Sequence, residues 1–168
     1  MLLSNVQCIL LCTRSFCTGP SLSPIHHRIV STCQSNGDFY QEQLGGDNKI
    51  PGIQILDQPE GARSAYWLYT FAFEKPGFVL SFIEFMKGEG IAASQVHTRN
   101  DQHPTVAEFA PSEEKGTLVP QLEDYSQRFV CVRVGWWVTP DDRQRVVAAI
   151  RAFAEANDLL NPAPKDEK

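Results

Sequence analysis

The stretch Ala65-Tyr66-Trp67-Leu68-Tyr69-Thr70-Phe71-Ala72-Phe73 decides the fold of this chain. It is dense in aromatic residues and contains neither Gly nor Pro, which is typical of a β-strand. Strand alternation puts four aromatic side chains on one face: Trp67, Tyr69, Phe71 and Phe73. The other face, with Tyr66, Leu68 and Thr70, is also mostly apolar. The pattern therefore predicts a central strand that is covered on both sides.

Downstream of this strand, the pattern changes to that of a helix and then returns to strands. Pro76-Gly77 opens a helix that runs to about Lys87, and its apolar residues recur at helical spacing: Val79, Phe82, Ile83 and Met86. A second strand is predicted over residues 91–96. A third is predicted over residues 130–134, where Cys131 lies among valines and is expected to be buried.

Three further helices are predicted, over residues 36–44, over residues 122–129 and from Thr139 onward. Thr139 can cap the last of them, Pro140 suits its first turn, and Asp141 and Asp142 face the positive end of its dipole. Upstream, Pro51-Gly52 forms a turn before residues 53–55, which alternate with period two.

These elements predict an α/β (α+β) two-layer sandwich, with three short, mainly antiparallel strands and helices on one face. Residues 1–30 are expected to be an atypical, disordered leader, because they show no sustained periodicity. Residues 31–158 form the domain and residues 159–168 a flexible tail. Four of the five cysteines lie in the first 33 residues, and their odd number and irregular spacing favour free thiols over disulfides.

Composition excludes several classes of function. The 168 residues are 42% hydrophobic, which suits a soluble domain, and the net charge of −5 argues against nucleic-acid binding. No stretch reaches the roughly 20 apolar residues of a membrane span, so we expect a cytoplasmic protein with neither nucleic acid nor membrane as partner. Phosphate-binding glycine loops and the common hydrolase motifs are absent from the sequence.

The polar run that follows the second predicted strand is the strongest candidate site: His97, Arg99, Asn100, Asp101 and His103. Loops at strand ends are where a rigid scaffold presents functional groups. A cation, an amide, a carboxylate and two imidazoles suit a ligand rich in hydroxyl and phosphate groups. The alternatives are a solvated loop, in which Asn100 or Asp101 shapes a turn, and a metal site, although the spacing matches no zinc motif.

Trp136 and Trp137 form a second candidate cluster, between the third strand and the capped helix. Adjacent side chains diverge, so one tryptophan can be core while the other is exposed and meets a ligand or a partner. The alternative is that both belong to the core.

Several pieces of the chain, taken in order, resemble the DegT/DnrJ/EryC1/StrS sugar aminotransferases, most closely their perosamine-synthetase-like branch. The resemblance runs from about Asn36 to Phe153. It is carried by Ile50-Pro51-Gly52-Ile53, Ser64-Ala65-Tyr66-Trp67-Leu68-Tyr69, Gly88-Glu89-Gly90-Ile91, Val96-His97 with Arg99-Asn100-Asp101 and His103, Ala107-Glu108-Phe109, and Val134-Gly135-Trp136-Trp137-Val138-Thr139.

The resemblance implies the C-terminal small domain of a fold-type-I enzyme that uses pyridoxal phosphate. Such an enzyme moves an amino group from glutamate to a nucleotide-linked 4-keto-6-deoxy sugar, in amino-sugar and O-antigen biosynthesis, and works as a homodimer. It also implies that His97, Arg99, Asn100, Asp101 and His103 face the substrate. The Ser-His-x-Lys type of motif, which carries the cofactor-binding lysine, has no counterpart in this sequence. We therefore expect no catalytic, cofactor-binding or metal residue here, and a chain that is inactive without its large domain.

Two other functions stay open at this point. One is a stand-alone, non-catalytic module that binds a sugar nucleotide or a protein. The other, more remote, is a metal-dependent hydrolase that uses His97 and His103. Exposed Trp and Phe surfaces are expected to make the chain self-associate, or to meet the missing large domain.

Overall fold

A computed structural model describes residues 24–96, 105 and 120–159 of the chain. Within them, four strands form one sheet: β1 (Ile53–Ile55), β2 (Leu68–Phe73), β3 (Ala93–Ser94) and β4 (Phe129–Arg133). The helices are α1 (Pro24–Leu44), α2 (Val79–Gly88), α3 (Pro120–Ser126) and α4 (Pro140–Ala156), with a short 3-10 helix at Gly46–Asn48.

The strand order is β1-β2-β4-β3, and each neighbouring pair is antiparallel. The prediction of a mixed α/β fold with antiparallel strands is therefore confirmed, but the expected count of three strands is wrong. The alternating residues after Pro51-Gly52 form the fourth strand, with Ile53 opposite Phe73 and Ile55 opposite Phe71. A segment of three residues is too short to be recognised as a strand from its sequence alone. It forms a strand because it pairs with β2.

β2 lies between β1 and β4, as its aromatic composition predicts, but it begins later than the pattern suggests. Tyr66 has a φ of 47°, in the left-handed region, so the alternation is broken there. Strand alternation predicts that Trp67 shares a face with Tyr69. In the structure it does not, and Trp67 is 65% exposed. The buried Tyr66 ring instead lies flat on Gly37 of α1, where any side chain would collide with it.

The sheet has two unequal faces. The first, called the helix face, consists of alternate residues of the two middle strands and the residue after β4: Tyr69, Phe71, Phe73, Val130, Val132 and Val134. α1, α2 and α4 pack their apolar residues against it, so these side chains form one large core. The prediction of an apolar stripe on α2 is confirmed by the burial of Val79, Phe82 and Met86.

The second, called the open face, carries Leu68, Thr70, Ala72, Phe129, Cys131 and Arg133. Part of it is covered by Tyr125 of α3, whose ring stacks on that of Phe129 at a centroid distance of 5.3 Å. α3 therefore contributes to the open face, and the expected placement of all helices on one face is not seen.

The ends of the long helices show how local sequence sets their length. Thr139 caps α4: its hydroxyl accepts a hydrogen bond from the Asp142 backbone N–H, and the Asp142 carboxylate accepts one from the Thr139 N–H. This confirms the predicted start.

α1 begins at Pro24, so it crosses the boundary that the sequence places between residues 30 and 31.

Candidate functional site

A cavity of about 220 Å³ lies at the end of the open face that α3 does not cover. It lies where the start of β2, the end of β4 and the edge strand β3 come together. Its walls are formed by Trp67, Leu68, Ser94, Val96, Cys131, Arg133, Val134, Gly135 and Trp137. Concave, mostly apolar sites with a few polar groups are where proteins bind small molecules.

Arg133 is the charged residue among the described residues that form the cavity wall. It is exposed, and its guanidinium makes no hydrogen bond or ion pair with another residue in the described part of the chain. Its register on β4 puts it opposite Leu68, on the open face. Although the chain is acidic overall, with a net charge of −5, the wall of this cavity is therefore locally cationic.

Trp136 and Trp137 follow β4 after two intervening residues, and both are about half exposed, at 58% and 55%. The alternative that both are core is wrong, and so is the expectation that one is buried. Their rings meet edge to face, with centroids 5.8 Å apart and planes at 84°. The Trp137 ring lies directly over Gly135, where a Cβ would overlap it, so a glycine lets the indole fold back onto the backbone.

Asn36 of α1 holds this tryptophan turn in place, a role that sequence reasoning missed. Its buried side-chain amide donates to the backbone carbonyls of Val134 (3.4 Å), Gly135 (3.2 Å) and Val138 (3.2 Å). Its oxygen accepts a hydrogen bond from Arg143, at 3.3 Å. Because one side chain brackets both ends of the turn, the two tryptophans have a fixed backbone.

Cys131 forms part of the cavity wall and is buried, as its place among valines predicts. Its sulfur lies 3.3 Å from the Thr70 hydroxyl. Burial raises the pKa of the Cys131 thiol, so the group is neutral and weakly nucleophilic at physiological pH. The thiol therefore contributes an apolar surface to the cavity rather than a reactive group.

The five candidate ligand residues predicted from sequence, His97, Arg99, Asn100, Asp101 and His103, lie outside the described residues. The chain reaches that segment from Val96, which belongs to the cavity wall. The candidates thus follow in sequence directly from a residue of the cavity.

Neither a metal centre nor a membrane-spanning helix is found in the described ranges. No group of three or more His, Cys, Asp and Glu side chains there could hold a metal ion. The helices over residues 24–96 and 120–159 are too short or too polar to cross a bilayer.

Comparisons with known proteins relate the chain to enzymes of known structure. No protein-family model matches the sequence, and no curated protein matches it. Solved structures do match it. The sugar aminotransferase CalS13 from Micromonospora echinospora is 28% identical, with a TM-score of 0.62 over 75% of this chain. AtS13 from Actinomadura melliaura is 30% identical, with a TM-score of 0.63 over 75% of this chain.

A more distant match shares the fold. A DegT DnrJ EryC1 StrS aminotransferase from Brucella abortus is 18% identical, with a TM-score of 0.63 over 77% of this chain. In each of the three, the match covers only about a third of the solved protein: 31% of CalS13, 31% of AtS13 and 32% of the Brucella enzyme.

Proposed function

We propose that this chain, which belongs to the DegT/DnrJ/EryC1/StrS sugar aminotransferases as a segment of about a third of their length, serves as the C-terminal small domain of such an enzyme. The observation that carries the proposal is the match to CalS13, a sugar aminotransferase, in both fold and sequence. The proposal includes the family's cytoplasmic location and homodimeric assembly.

The described residues do not fit pyridoxal phosphate, the cofactor of these enzymes. A lysine that binds this cofactor must be desolvated to lose its proton near neutral pH. The lysines of the described part, Lys49, Lys75 and Lys87, are all exposed, and none of them contributes to the cavity wall. This supports the proposal that the cofactor is held elsewhere in the enzyme.

What this chain supplies is binding and orientation of the sugar substrate. In the proposed reaction, an amino group passes from glutamate to a nucleotide-linked 4-keto-6-deoxy sugar. We propose that His97, Arg99, Asn100, Asp101 and His103 contact that substrate. The support is that the segment begins at Val96, in the wall of a cavity with a cationic residue. Holding the substrate in a reactive orientation is itself a large part of catalysis.

The cofactor part of the proposal is tested by incubating the chain with equimolar pyridoxal phosphate, reducing with borohydride and measuring the intact mass. We expect no stoichiometric addition of a pyridoxyl group, whereas a complete aminotransferase treated in parallel takes up one per chain. One pyridoxyl group per chain at a single lysine, lost when that lysine is replaced by Ala, would contradict the proposal.

The domain assignment is tested by exchanging the matching segment of a related enzyme for this chain. The segment of CalS13 that matches this chain is replaced with residues 24–159, and release of 2-oxoglutarate from glutamate is measured in the presence of the sugar substrate. We expect the chimera to be active and CalS13 truncated at the same point to be inactive. A chimera that folds and retains the cofactor but stays inactive would favour a stand-alone module.

A further inference from the structure

Asn36 and Gly37 are buried neighbours in α1, and together they form a dipeptide that is chemically labile in an open chain. In an Asn-Gly sequence the glycine nitrogen can attack the asparagine side-chain carbonyl, because no Cβ hinders its approach and the backbone turns freely. The sequence contains no other Asn-Gly pair. The proposed function makes no use of this reactivity.

The fold needs both residues for reasons that are unrelated to their reactivity. Position 37 needs glycine, because the Tyr66 ring lies where a Cβ would be. That ring is held in place, since the Gln58 amide donates to its hydroxyl and it stacks on Tyr69 at a centroid distance of 6.2 Å. Position 36 needs a side-chain amide, because the carbonyls of the tryptophan turn accept hydrogen bonds from it. The labile pair is therefore a consequence of two separate packing requirements.

The folded state protects the pair from reaction. In a helix the Gly37 N–H donates to the carbonyl of the preceding turn, so its nitrogen is engaged and the backbone angles of Asn36 are fixed. The Asn36 amide is only 3% exposed and is held by its bonds to the carbonyls of Val134, Gly135 and Val138. The reaction therefore requires that this part of α1 opens first.

The N-terminal end of α1 provides a route for such opening. Residues 25–31 are mostly exposed, whereas the helix is buried on its core side from Cys33 onward. Local opening costs less free energy where few buried contacts have to be broken. We therefore expect α1 to open from its first turns, and opening past Gly37 to release both reacting groups.

We infer that Asn36-Gly37 is a site of spontaneous covalent modification, deamidation through a succinimide, which the packing of α1 blocks and its local opening permits. The Gly37 nitrogen forms a bond to Cγ of Asn36, and the bond from Cγ to Nδ2 breaks. The proton of the Gly37 nitrogen leaves with Nδ2 as ammonia. Water then opens the succinimide ring at either carbonyl and leaves aspartate or isoaspartate. No atom is oxidised or reduced, and water is the only other reactant.

Either product removes the support of the tryptophan turn. An aspartate carboxylate at position 36 has no N–H to donate, so the three carbonyls of the turn would face a negative oxygen. Arg143 would still donate to one carboxylate oxygen, but it does not replace the lost donor. Isoaspartate adds a carbon to the main chain in the middle of α1 and interrupts the helix there. The site therefore converts a transient opening into a permanent loss of order.

The test is ageing of the full chain at mildly alkaline pH, in buffer and in urea concentrated enough to unfold it. Ammonia release and peptide mapping by mass spectrometry measure the conversion at each asparagine. We expect Asn36 to convert at least roughly tenfold faster in urea than in buffer, because the reaction no longer waits for α1 to open. Equal rates in the two conditions, or slower conversion at Asn36 than at Asn48 in urea, would overturn the inference.

Variants separate the chemistry from the packing. Gly37→Ala, compared with the parent chain in urea, is expected to lose most of the conversion, because its Cβ hinders the attack. Tyr66→Leu, compared in buffer, is expected to speed the conversion at Asn36, because the ring over Gly37 is removed. If the Tyr66→Leu chain does not fold, Gln58→Ala gives the same reading, since it keeps the ring but removes the amide that holds its hydroxyl.

The matched control is Tyr125→Leu, which removes a ring from the open face, where it stacks on Phe129. We expect it to change the conversion in buffer much less than Tyr66→Leu does. Equal acceleration by the two ring variants would show that only global unfolding exposes Asn36, which contradicts gating by the packing of α1.

The consequence of the modification is measured on Asn36→Asp, which is one of its products. We expect the folded variant to be less stable in urea than the parent chain and to have a shifted tryptophan emission, and a variant that is unfolded in buffer shows the same loss of order in a stronger form. Unchanged stability and emission would show that the product still holds the turn, and would remove the consequence inferred here for the modification.

Discussion

The two faces of the sheet use residues of the same two strands in opposite ways. On the helix face, Phe71, Phe73, Val130 and Val132 are completely buried under three helices. On the open face, burial depends on position: Ala72 and Phe129 are covered beside α3, whereas Leu68 and Arg133 lie at the cavity. The helix face is therefore built for stability, and the uncovered end of the open face is available for binding.

The largest expected effect tests this division directly. Phe71→Ala removes a buried ring that contacts Phe73 and Phe82 edge to face, at centroid distances of 5.8 and 5.5 Å. We expect it to lower the free energy of unfolding by about 3–5 kcal/mol, as measured by urea denaturation. Leu68→Ala, at the first residue of the same strand but on the open face, is expected to cost only about 1 kcal/mol.

If the Phe71→Ala chain is already unfolded in the absence of urea, it shows no unfolding transition that could be compared. Phe71→Leu then takes its place, with an expected loss of about 1.5 kcal/mol. Equal losses at Phe71 and Leu68 would show that the two faces contribute alike, and would remove the basis for treating the open face as a binding surface.

The second prediction concerns the link between the faces, because Asn36 lies in the helix layer and holds the turn at the cavity. Asn36→Ala leaves three backbone carbonyls and the Arg143 guanidinium without this partner. We expect a loss of about 2–3 kcal/mol in the free energy of unfolding, because buried polar groups become unsatisfied. The emission of Trp136 and Trp137 is expected to shift in the folded state.

The matched control is Asn48→Ala, since Asn48 is exposed and donates to the Glu42 carbonyl at 3.1 Å. It is expected to change stability by less than about 0.5 kcal/mol. If the Asn36 and Asn48 variants were equally stable, Asn36 would not be the support of the tryptophan turn.

The sequence predicts best what local chemistry determines. The aromatic run identifies β2, and the Thr139-Pro140 start of α4 follows from capping alone. The role of Asn36 has no local signal, because its three acceptors lie 98, 99 and 102 residues away in the chain. The predicted ligand loop, with His97 and Arg99, stays a prediction. The sequence predicts Arg133 only as part of a strand, and the cavity that it helps to form depends on residues from other strands.

The third prediction concerns the cap of α4, a helix that covers the helix face. Thr139→Ala removes the hydroxyl that accepts from Asp142 N at 3.2 Å, and is expected to cost about 1 kcal/mol at neutral pH. Hydrogen bonds from Thr139 lower the pKa of the Asp142 carboxyl below its ordinary 3.8. Its stabilising contribution is therefore present above pH 3.8 and is lost as the pH falls through the folded-state pKa.

Denaturation of the parent chain and of Thr139→Ala at neutral pH and again at acid pH measures this effect. The difference between the two chains is expected to shrink as Asp142 is protonated. Asp141→Asn, on an exposed residue of the same turn, is the control. A difference that stays constant with pH would show that Asp142 takes no part in the cap.

The smallest expected effect comes from a pair of tyrosine hydroxyls, one on each face. The Tyr125 hydroxyl is buried on the open face without a hydrogen-bond partner in the described part of the chain, whereas the Tyr69 hydroxyl donates to Gln41 Oε1 at 3.1 Å. Tyr125→Phe keeps the ring stacked on Phe129 and is expected to raise stability by about 1 kcal/mol. Tyr69→Phe is expected to lower it by about 1 kcal/mol.

Alkaline denaturation sharpens the same contrast. Burial raises the pKa of Tyr125 from 10.0 to about 12, so the stability linked to its neutral form is complete below pH 10 and is lost as the pH rises through 12. Tyr125→Phe cannot ionise there, so its advantage over the parent chain is expected to grow across that interval. A Tyr125→Phe variant that is less stable than the parent at neutral pH would mean that the hydroxyl has a partner, and that the open face near α3 is as fully satisfied as the helix face.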